Sequence, residues 1–378
     1  MPTLVLATKL FPPTPRSELV ARPGLAEQLD STLNRGHRLT LISAPAGFGK
    51  STLLSDWAAR RADADVVVAW LSLDEADNTV SRFLAHLWAA LAGVGLDLGA
   101  EELDALIGPP TSAAMTAVVN ELELVGRRRP GGHWLLVLDD YHAIEAPEVH
   151  EAVNFLLDHM PEQAHLLVAT RSDPPFPLSR LRSRGQLTEV RAAGLRFAPA
   201  EARTFLNEVM GLDLADSDVQ ALEERTEGWI AGLQLAALSL RGLTEHRAIV
   251  DFINAFTGSN RLVIDYLVDE VLARQSAEGR DFLLRTSILQ QLTGSLCDAV
   301  TGRTDGARVL EELDRANVFV VALDGQRSWY RYHHLFGDVL RARLIAEHPE
   351  QVPALHRAAS GWYAAHDRFP DAVRHALA

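Results

Sequence analysis

The residues best equipped for chemistry are Ala44-Pro45-Ala46-Gly47-Phe48-Gly49-Lys50-Ser51-Thr52, a small-residue stretch ending in a lysine and two hydroxyls. Gly47 and Gly49 open backbone angles closed to other residues, so successive N–H groups can face one concavity. A helix that follows adds its positive N-terminal end. Such a cradle suits a nucleotide triphosphate. Ala46, Gly47 and Gly49 supply backbone, Lys50 reaches the β- and γ-phosphates, the Ser51 hydroxyl takes a Mg²⁺ position, and Thr52 donates to the α-phosphate. The pattern G-x-x-x-x-G-K-[ST] is met except at its first glycine, where this chain has Ala44. Only two lysines occur in the chain, Lys9 and Lys50, and arginine carries the remaining positive charge. A planar guanidinium does not replace a compact ammonium between phosphate oxygens, so a lysine kept at this position points the same way. A Gly-rich turn with a solvated lysine is the plainer alternative.

Two other positions belong to the same chemistry. Leu138-Asp139-Asp140-Tyr141-His142 places paired acids directly after an apolar run, where Asp139 would hold Mg²⁺ and Asp140 would orient or deprotonate an attacking water. Arg171, after the apolar run ending at Thr170, is placed to contact a γ-phosphate. Paired acids also occur in ordinary surface turns, and arginine often ends a strand; the Lys50 loop upstream favours the functional reading of both.

These groups must be delivered by strands that end on one rim. Arg38–Ile42, Val66–Leu71, Trp134–Leu138 and His165–Thr170 have the apolar, β-branched character of buried parallel strands, and open α/β sheets bind ligands at the carboxyl ends of such strands. Between them, helical spacing runs over 25–33, 51–59, 80–91, 112–127 and 149–160, with Leu53, Leu54, Trp57 and Ala58 on one stripe. Lys9 to Arg22 reads as an extended Pro-rich lead-in, and Arg127 to Gly132 as a solvated basic turn. Gly194 to Pro199 marks a boundary, after which helical stripes take over through 200–243 and 250–274.

With 378 residues, 47% of them apolar, the chain has material for two to four domains with real cores. A net charge of −14 argues against this segment itself gripping nucleic acid, which depends on neutralising phosphates. One cysteine, Cys297, excludes a disulfide framework and fits a reducing, cytoplasmic setting. No apolar run has the length of a membrane span, and the first residues lack a signal-peptide core.

The Lys50 loop, 138–142, Thr170-Arg171-Ser172-Asp173-Pro174, Thr226-Glu227-Gly228-Trp229-Ile230-Ala231-Gly232-Leu233-Gln234, and Tyr332-His333-His334-Leu335-Phe336 together resemble the N-terminal half of MalT-type large LuxR-family transcriptional activators. These are signal-transduction (STAND) P-loop ATPases. The resemblance covers nearly the whole chain. It implies an α/β P-loop nucleotide-binding domain (parallel sheet, helices on both faces), an all-α helical domain, a winged-helix domain and the start of a helical repeat array. The expected spans are a lead-in with first helix at 1–34, then 35–197, 198–275, 276–347 and 348–378.

It also implies that ADP is held in a closed resting state, and that an inducer permits exchange for ATP and self-association. His333 matches the winged-helix histidine that touches the β-phosphate, with His334 beside it as the alternative register. Leu233 and Gln234 stand where relatives carry Gly-x-Pro against adenine, and Gln234 departs from that pattern. Val20 and Arg22 fall where the lead-in contacts adenine, largely through backbone. Without the resemblance, 227–240 reads as a buried core helix and His333 as a structural histidine.

The closing helices around Trp362-Tyr363 and Phe369-Pro370-Asp371-Ala372 read as the first pair of a repeat array that needs further units. The inducer-sensing array and a DNA-binding helix-turn-helix are therefore expected outside this chain, so that this segment switches without reading DNA directly. Two other readings stay open: a constitutive P-loop ATPase or kinase, and a signalling ATPase coupled to a protein kinase or a defence effector.

Overall fold

In the computed structural model, residues 5–14, 19–61, 66–96, 111–128, 132–243, 245–258 and 260–378 are described. Of the sequence readings above, part of the lead-in (15–18) and the centre of the basic turn (129–131) lie outside the described residues.

Four apolar runs form strands β1 (Leu39–Ser43), β2 (Val66–Ser72), β3 (His133–Asp139) and β4 (Ala164–Thr170). A fifth, β5 (Leu187–Arg191), completes a sheet of order β2-β3-β4-β1-β5 in which each neighbouring pair is parallel. Strands buried on both faces have no polar side to show, which is why β1 and β4 read as continuous apolar runs. β5 escapes that signal because it lies at the edge and alternates buried and half-buried positions, with Glu189 and Arg191 on its open face.

The connecting helices are α1 (Pro23–Asn34), α2 (Lys50–Arg61), α3 (Val80–Ala92), α4 (Thr111–Arg128), α5 (Pro147–His159) and α6 (Leu178–Ser183). One core layer joins Leu41, Leu71, Leu138 and Val168 of the sheet to Phe83, Leu87, Val118, Val153 and Leu156 of the helices. The lead-in departs from the extended reading at Lys9 and Leu10. Ala7–Leu10 is a 3-10 turn, and Lys9 is buried with its ammonium on Asp77, 2.5 Å, and Asp74, 2.7 Å. A lysine stem lies along apolar surface while its head group finds two carboxylates, so this segment is anchored rather than loosely draped.

Contacts divide the chain into two units, one of Met1–Ala44 and Gly49–Leu195, the other of Pro45–Phe48 and Arg196–Ala378. The second is helical: α7 (Pro199–Arg203), α8 (Asp216–Thr226), α9 (Ile230–Leu240), α10 (His246–Ala255) and α11 (Arg261–Glu270). The reading of 227–240 as one helix is corrected here. Glu227 and Gly228 take left-handed angles, φ 49° and 67°, and Trp229 caps a new helix, so the stretch is a turn followed by α9. Next come α12 (Ala277–Thr286), α13 (Gly294–Thr301) and α14 (Gly306–Arg315), the antiparallel hairpin β6 (Val320–Ala322) and β7 (Tyr330–Tyr332), and α15 (His334–Glu347). Three helices followed by a two-stranded wing make a winged helix.

Helices α16 (Val352–Ala365) and α17 (Phe369–Leu377) pair at the end of the chain, tied by the Ser360 hydroxyl donating to the Ala372 carbonyl at 2.8 Å. Arg368 lies over the rings of Trp329 and Tyr363, at 4.9 and 5.4 Å, and fixes this pair to the wing. No helix among the described residues is long and apolar enough to cross a membrane.

Candidate nucleotide site

In the first unit, the two ends of the turn from β1 to α2, Ala44 and Gly49 onward, carry candidate groups. Gly49 has φ 74°, a conformation that a side chain would strain, and α2 begins at Lys50. Lys50 is buried, and its ammonium donates to the Ala44 carbonyl at 2.8 Å. Burial, reinforced by the charge of Arg171 and opposed by Asp140 and Asp139, draws its pKa down to about 8. Thr52 is exposed on the first turn of α2, and Ser51 is half-buried beside it.

The Ser51 hydroxyl donates to Asp139 Oδ1 at 2.9 Å, and the Asp140 N–H donates to the same oxygen at 3.0 Å. Asp139 is buried at the end of β3, and burial, with the neighbouring Asp140 charge, lifts its pKa to about 6 against the Ser51 bond that favours the carboxylate. A buried acid kept this basic, with a serine hydroxyl on one oxygen, is a group that a cation would convert fully to carboxylate. Asp140 has left-handed angles (φ 56°) and a half-exposed carboxylate, with His142 Nδ1 3.7 Å from it.

Arg171 follows β4 at the same rim. Beside it, Asp173 accepts from the Ser43 hydroxyl at 3.0 Å and pairs with both guanidinium nitrogens of Arg191, so the ends of β1, β4 and β5 are joined by one carboxylate. Sequence reasoning placed no role on Arg191, because an edge strand ending in arginine is unremarkable until its partner is seen. Val20 is half-buried, and the Arg22 guanidinium donates to the carbonyls of Leu195, 2.6 Å, and Gly194, 3.4 Å. The Arg22 side chain is thus engaged in holding backbone.

The loop residues Pro45–Phe48 group with the second unit. Gly47 has φ 77°, and a Cβ there would come within 2.5 Å of Ala231 Cβ and 2.8 Å of Trp229 Nε1, so glycine is required on two counts. The Trp229 indole donates to the Ala46 carbonyl at 3.0 Å, and the Ala231 N–H at the start of α9 donates to the Gly47 carbonyl at 3.0 Å. Trp229 is fully buried, with its ring edge-on to Tyr266, Phe319 and His333 at centroid distances of 5.5, 5.2 and 5.9 Å. Phe48 meets Phe319 at 6.1 Å. Leu233 is fully buried in α9, whereas Gln234 beside it is half-buried.

Of the two adjacent histidines, His333 is inside and His334 outside, its side chain 64% exposed. His333 Nε2 donates to the Thr226 carbonyl at 3.0 Å, while its Nδ1 is a buried polar atom with no hydrogen-bond partner. Burial, opposed by Glu227, lowers its pKa to about 4, so the ring is neutral at pH 7. Glu227 is the hub beneath it. Its carboxylate accepts two bonds from Arg331, both at 2.7 Å, one from the His334 N–H at 3.0 Å, and an ion pair from Arg196 at 3.2 Å.

With this geometry in view, comparison with known proteins is informative. Residues 18–169 match an AAA ATPase domain, and residues 268–352 match a MalT winged helix domain. The chain is 37% identical over 382 aligned residues to the HTH-type transcriptional regulator MalT of Klebsiella pneumoniae, covering 99% of this chain and 41% of that protein. It is 36% identical to the serine/threonine-protein kinase PknK of Mycobacterium tuberculosis, covering 98% of this chain and 33% of that one. The chain thus spans less than half the length of these relatives. A Walker-type ATPase of Pyrococcus abyssi shares its fold, with TM-score 0.59 at 15% identity over 89% of this chain and all of that one. Parallel sheet, phosphate-loop turn and three-helix wing agree with these matches: the chain carries a P-loop ATPase-type domain and a winged helix, and along nearly its whole length it is similar to the corresponding part of MalT.

Proposed function

We propose that this module is a nucleotide-controlled switch, with ADP held at rest and ATP accepted on activation, hydrolysing ATP slowly in the service of a transcriptional output. The observation that carries the reading is the buried Asp139 carboxyl against the Ser51 hydroxyl, beside a buried lysine whose head group donates to a loop carbonyl. A phosphate chain on the loop N–H groups would draw Lys50 off Ala44, and Mg²⁺ would be held by Ser51 and Asp139 together with nucleotide oxygens. Among the described residues no cluster of three or more His, Cys, Asp or Glu side chains forms a metal cage of its own, which suits a cation shared with phosphates. Mg²⁺ would neutralise developing charge on those phosphates; Asp140 would orient the attacking water and Arg171 would report the γ-phosphate. An unidentified inducer, self-association in the ATP state and DNA binding through other segments complete the proposal. The PknK likeness favours a second reading, the same switch serving a protein kinase.

Slow turnover and copurified ADP are the expected results for a switch; an empty protein with rapid turnover would identify a constitutive enzyme. Asp139→Asn and Asp140→Asn are expected to separate, the first weakening Mg²⁺-dependent binding and the second mainly slowing hydrolysis. Equal loss of affinity in both, measured by calorimetry with and without Mg²⁺, would contradict these roles.

His333 supplies the test of the resting state. With Nε2 donating to Thr226, its Nδ1 is unprotonated, so a bond to a β-phosphate oxygen requires the imidazolium and uptake of a proton. Such a bond is worth about 1.5 to 3 kcal/mol, roughly ten- to a hundredfold in retention of ADP. His333→Ala should release ADP faster by that factor, exchange to ATP without inducer and scatter with a larger radius, and His334→Ala should not. In the unmodified protein ADP affinity should fall as pH rises above the bound-state pKa of His333. Release unchanged in both variants would remove the histidine from the mechanism.

A further inference from the structure

We infer that Trp229 and the N-terminus of α9 are the positioning elements of the phosphate loop, setting the direction in which its N–H groups point. The inference rests on the reading that the loop binds phosphate, and it names what aims it. A peptide group is planar and trans, so a carbonyl and the N–H of the following residue point in opposite directions. The Ala46 carbonyl is held by the Trp229 indole N–H and the Gly47 carbonyl by the Ala231 N–H, each at 3.0 Å. The N–H groups of Gly47 and Phe48 are therefore turned away from α9, presented together for an anion.

The arrangement is built rather than incidental. The Ala231 N–H belongs to the first turn of an 11-residue helix, where backbone donors have no partner within the helix. Trp229 is its N-cap residue and is fully buried, and its indole N–H has no water to bond instead. Gly47 is pressed so closely on Ala231 and Trp229 that no side chain fits between them. Phe319, which packs on both Trp229 and Phe48, is held at φ 51°, a left-handed conformation rare for an aromatic residue, and its carbonyl accepts the His333 N–H at 2.8 Å. The loop carbonyls, the indole and the wing thus form one packed chain within the second unit. Because linkage is reciprocal, phosphate on the loop and docking of α9 against it must favour each other.

The test removes one N–H and nothing else. Trp229 is replaced site-specifically by benzothienylalanine, which keeps the bicyclic shape but lacks the donor, with Trp229→Phe as the encoded companion. ADP and adenosine affinities are measured by calorimetry beside a thermal melt without nucleotide. The expected result is about a tenfold loss of ADP affinity with adenosine affinity unchanged, since only the phosphate-binding peptides lose their orientation. Equal loss of both ligands would make Trp229 a structural residue and overturn the proposal, as would unchanged ADP affinity in the benzothienylalanine protein. Lys50→Ala separates the two layers: if that variant binds ADP like the unmodified chain, the phosphate-loop reading itself is wrong, whatever Trp229 does.

Discussion

Lys50→Ala is expected to abolish measurable binding of ADP and ATP while leaving the fold intact. Removing one partner of a buried charge pair costs about 2 to 5 kcal/mol, roughly a thirtyfold to several-thousandfold rise in Kd. The fold should survive because the charge contributes little to it: burial has drawn the ammonium's pKa from 10.5 to about 8. Keeping that ammonium charged at pH 7 costs the nucleotide-free fold about 3 kcal/mol by the size of the shift. The sign follows from proton counts: between pH 8 and 10.5 the unfolded chain holds more protons than the folded one, so this cost is relieved as pH rises through that window. Lys50→Met, which retains the apolar stem and discards the charge, should therefore melt no lower than the unmodified protein and still fail to bind. Calorimetric affinities beside thermal melts check both halves. Full ADP affinity in either variant would remove the lysine from the site, and a large drop in melting temperature would show it to be structural.

The Lys50 loop, Asp139 and Arg171 could be read because each follows a continuous apolar run, and a buried parallel strand leaves such a run in the sequence. Gly47 and Gly49 could be read as positions needing unusual angles, and both have positive φ. β5 could not, because an edge strand with two charged residues in five looks like loop. The clamp on the loop was hidden for a different reason. Nothing in the spacing of Trp229 says that an indole N–H will meet the carbonyl of Ala46, distant in sequence. Phe319 at positive φ has no sequence signal at all, since no glycine or asparagine marks the position. Local pattern predicts elements; hydrogen bonds spanning the chain appear only once those elements pack. Lys9 shows the same limit, since a lysine in a Pro-rich lead-in gives no hint of its buried pairing with Asp77.

Glu227→Ala is expected to destabilise the second unit by about 3 kcal/mol, because two half-buried guanidinium groups lose the buried carboxylate that pairs with them. Three groups depend on this carboxylate: the Arg331 guanidinium, the Arg196 guanidinium and the free N–H of His334 at the start of α15. Burial alone would raise the Glu227 pKa, but the Arg331 bonds, the His333 and Arg331 fields and the His334 N–H bring it down from 4.5 to about 2. A carboxylate with a depressed pKa contributes stability that is complete above about pH 4.5 and is lost as pH falls toward 2. In the unmodified protein this amounts to about 3 kcal/mol, and the variant should lack that acid-dependent component.

A second substitution at Glu227 separates charge from backbone. Glu227 stands at φ 49°, which costs a residue with a Cβ about 1 to 2 kcal/mol and glycine almost nothing. Glu227→Gly removes the same contacts but relieves that strain, and should be the less destabilised variant by about 1 kcal/mol. Replacing Arg331 by Met in the Glu227→Ala background should restore part of the loss, because the orphaned guanidinium is then gone as well. Denaturant unfolding at pH 7 and at pH 3.5 measures all four proteins. A change below about 1 kcal/mol for Glu227→Ala at pH 7 would mean that solvent replaces the carboxylate, and the buried hub would carry no more than a surface ion pair does. If the large value is found, function should follow stability. Glu227 is two residues from Trp229, so the carboxylate that fixes the wing to the turn before α9 also fixes the indole that holds the phosphate loop, and ADP release should quicken in the same order as the loss of stability.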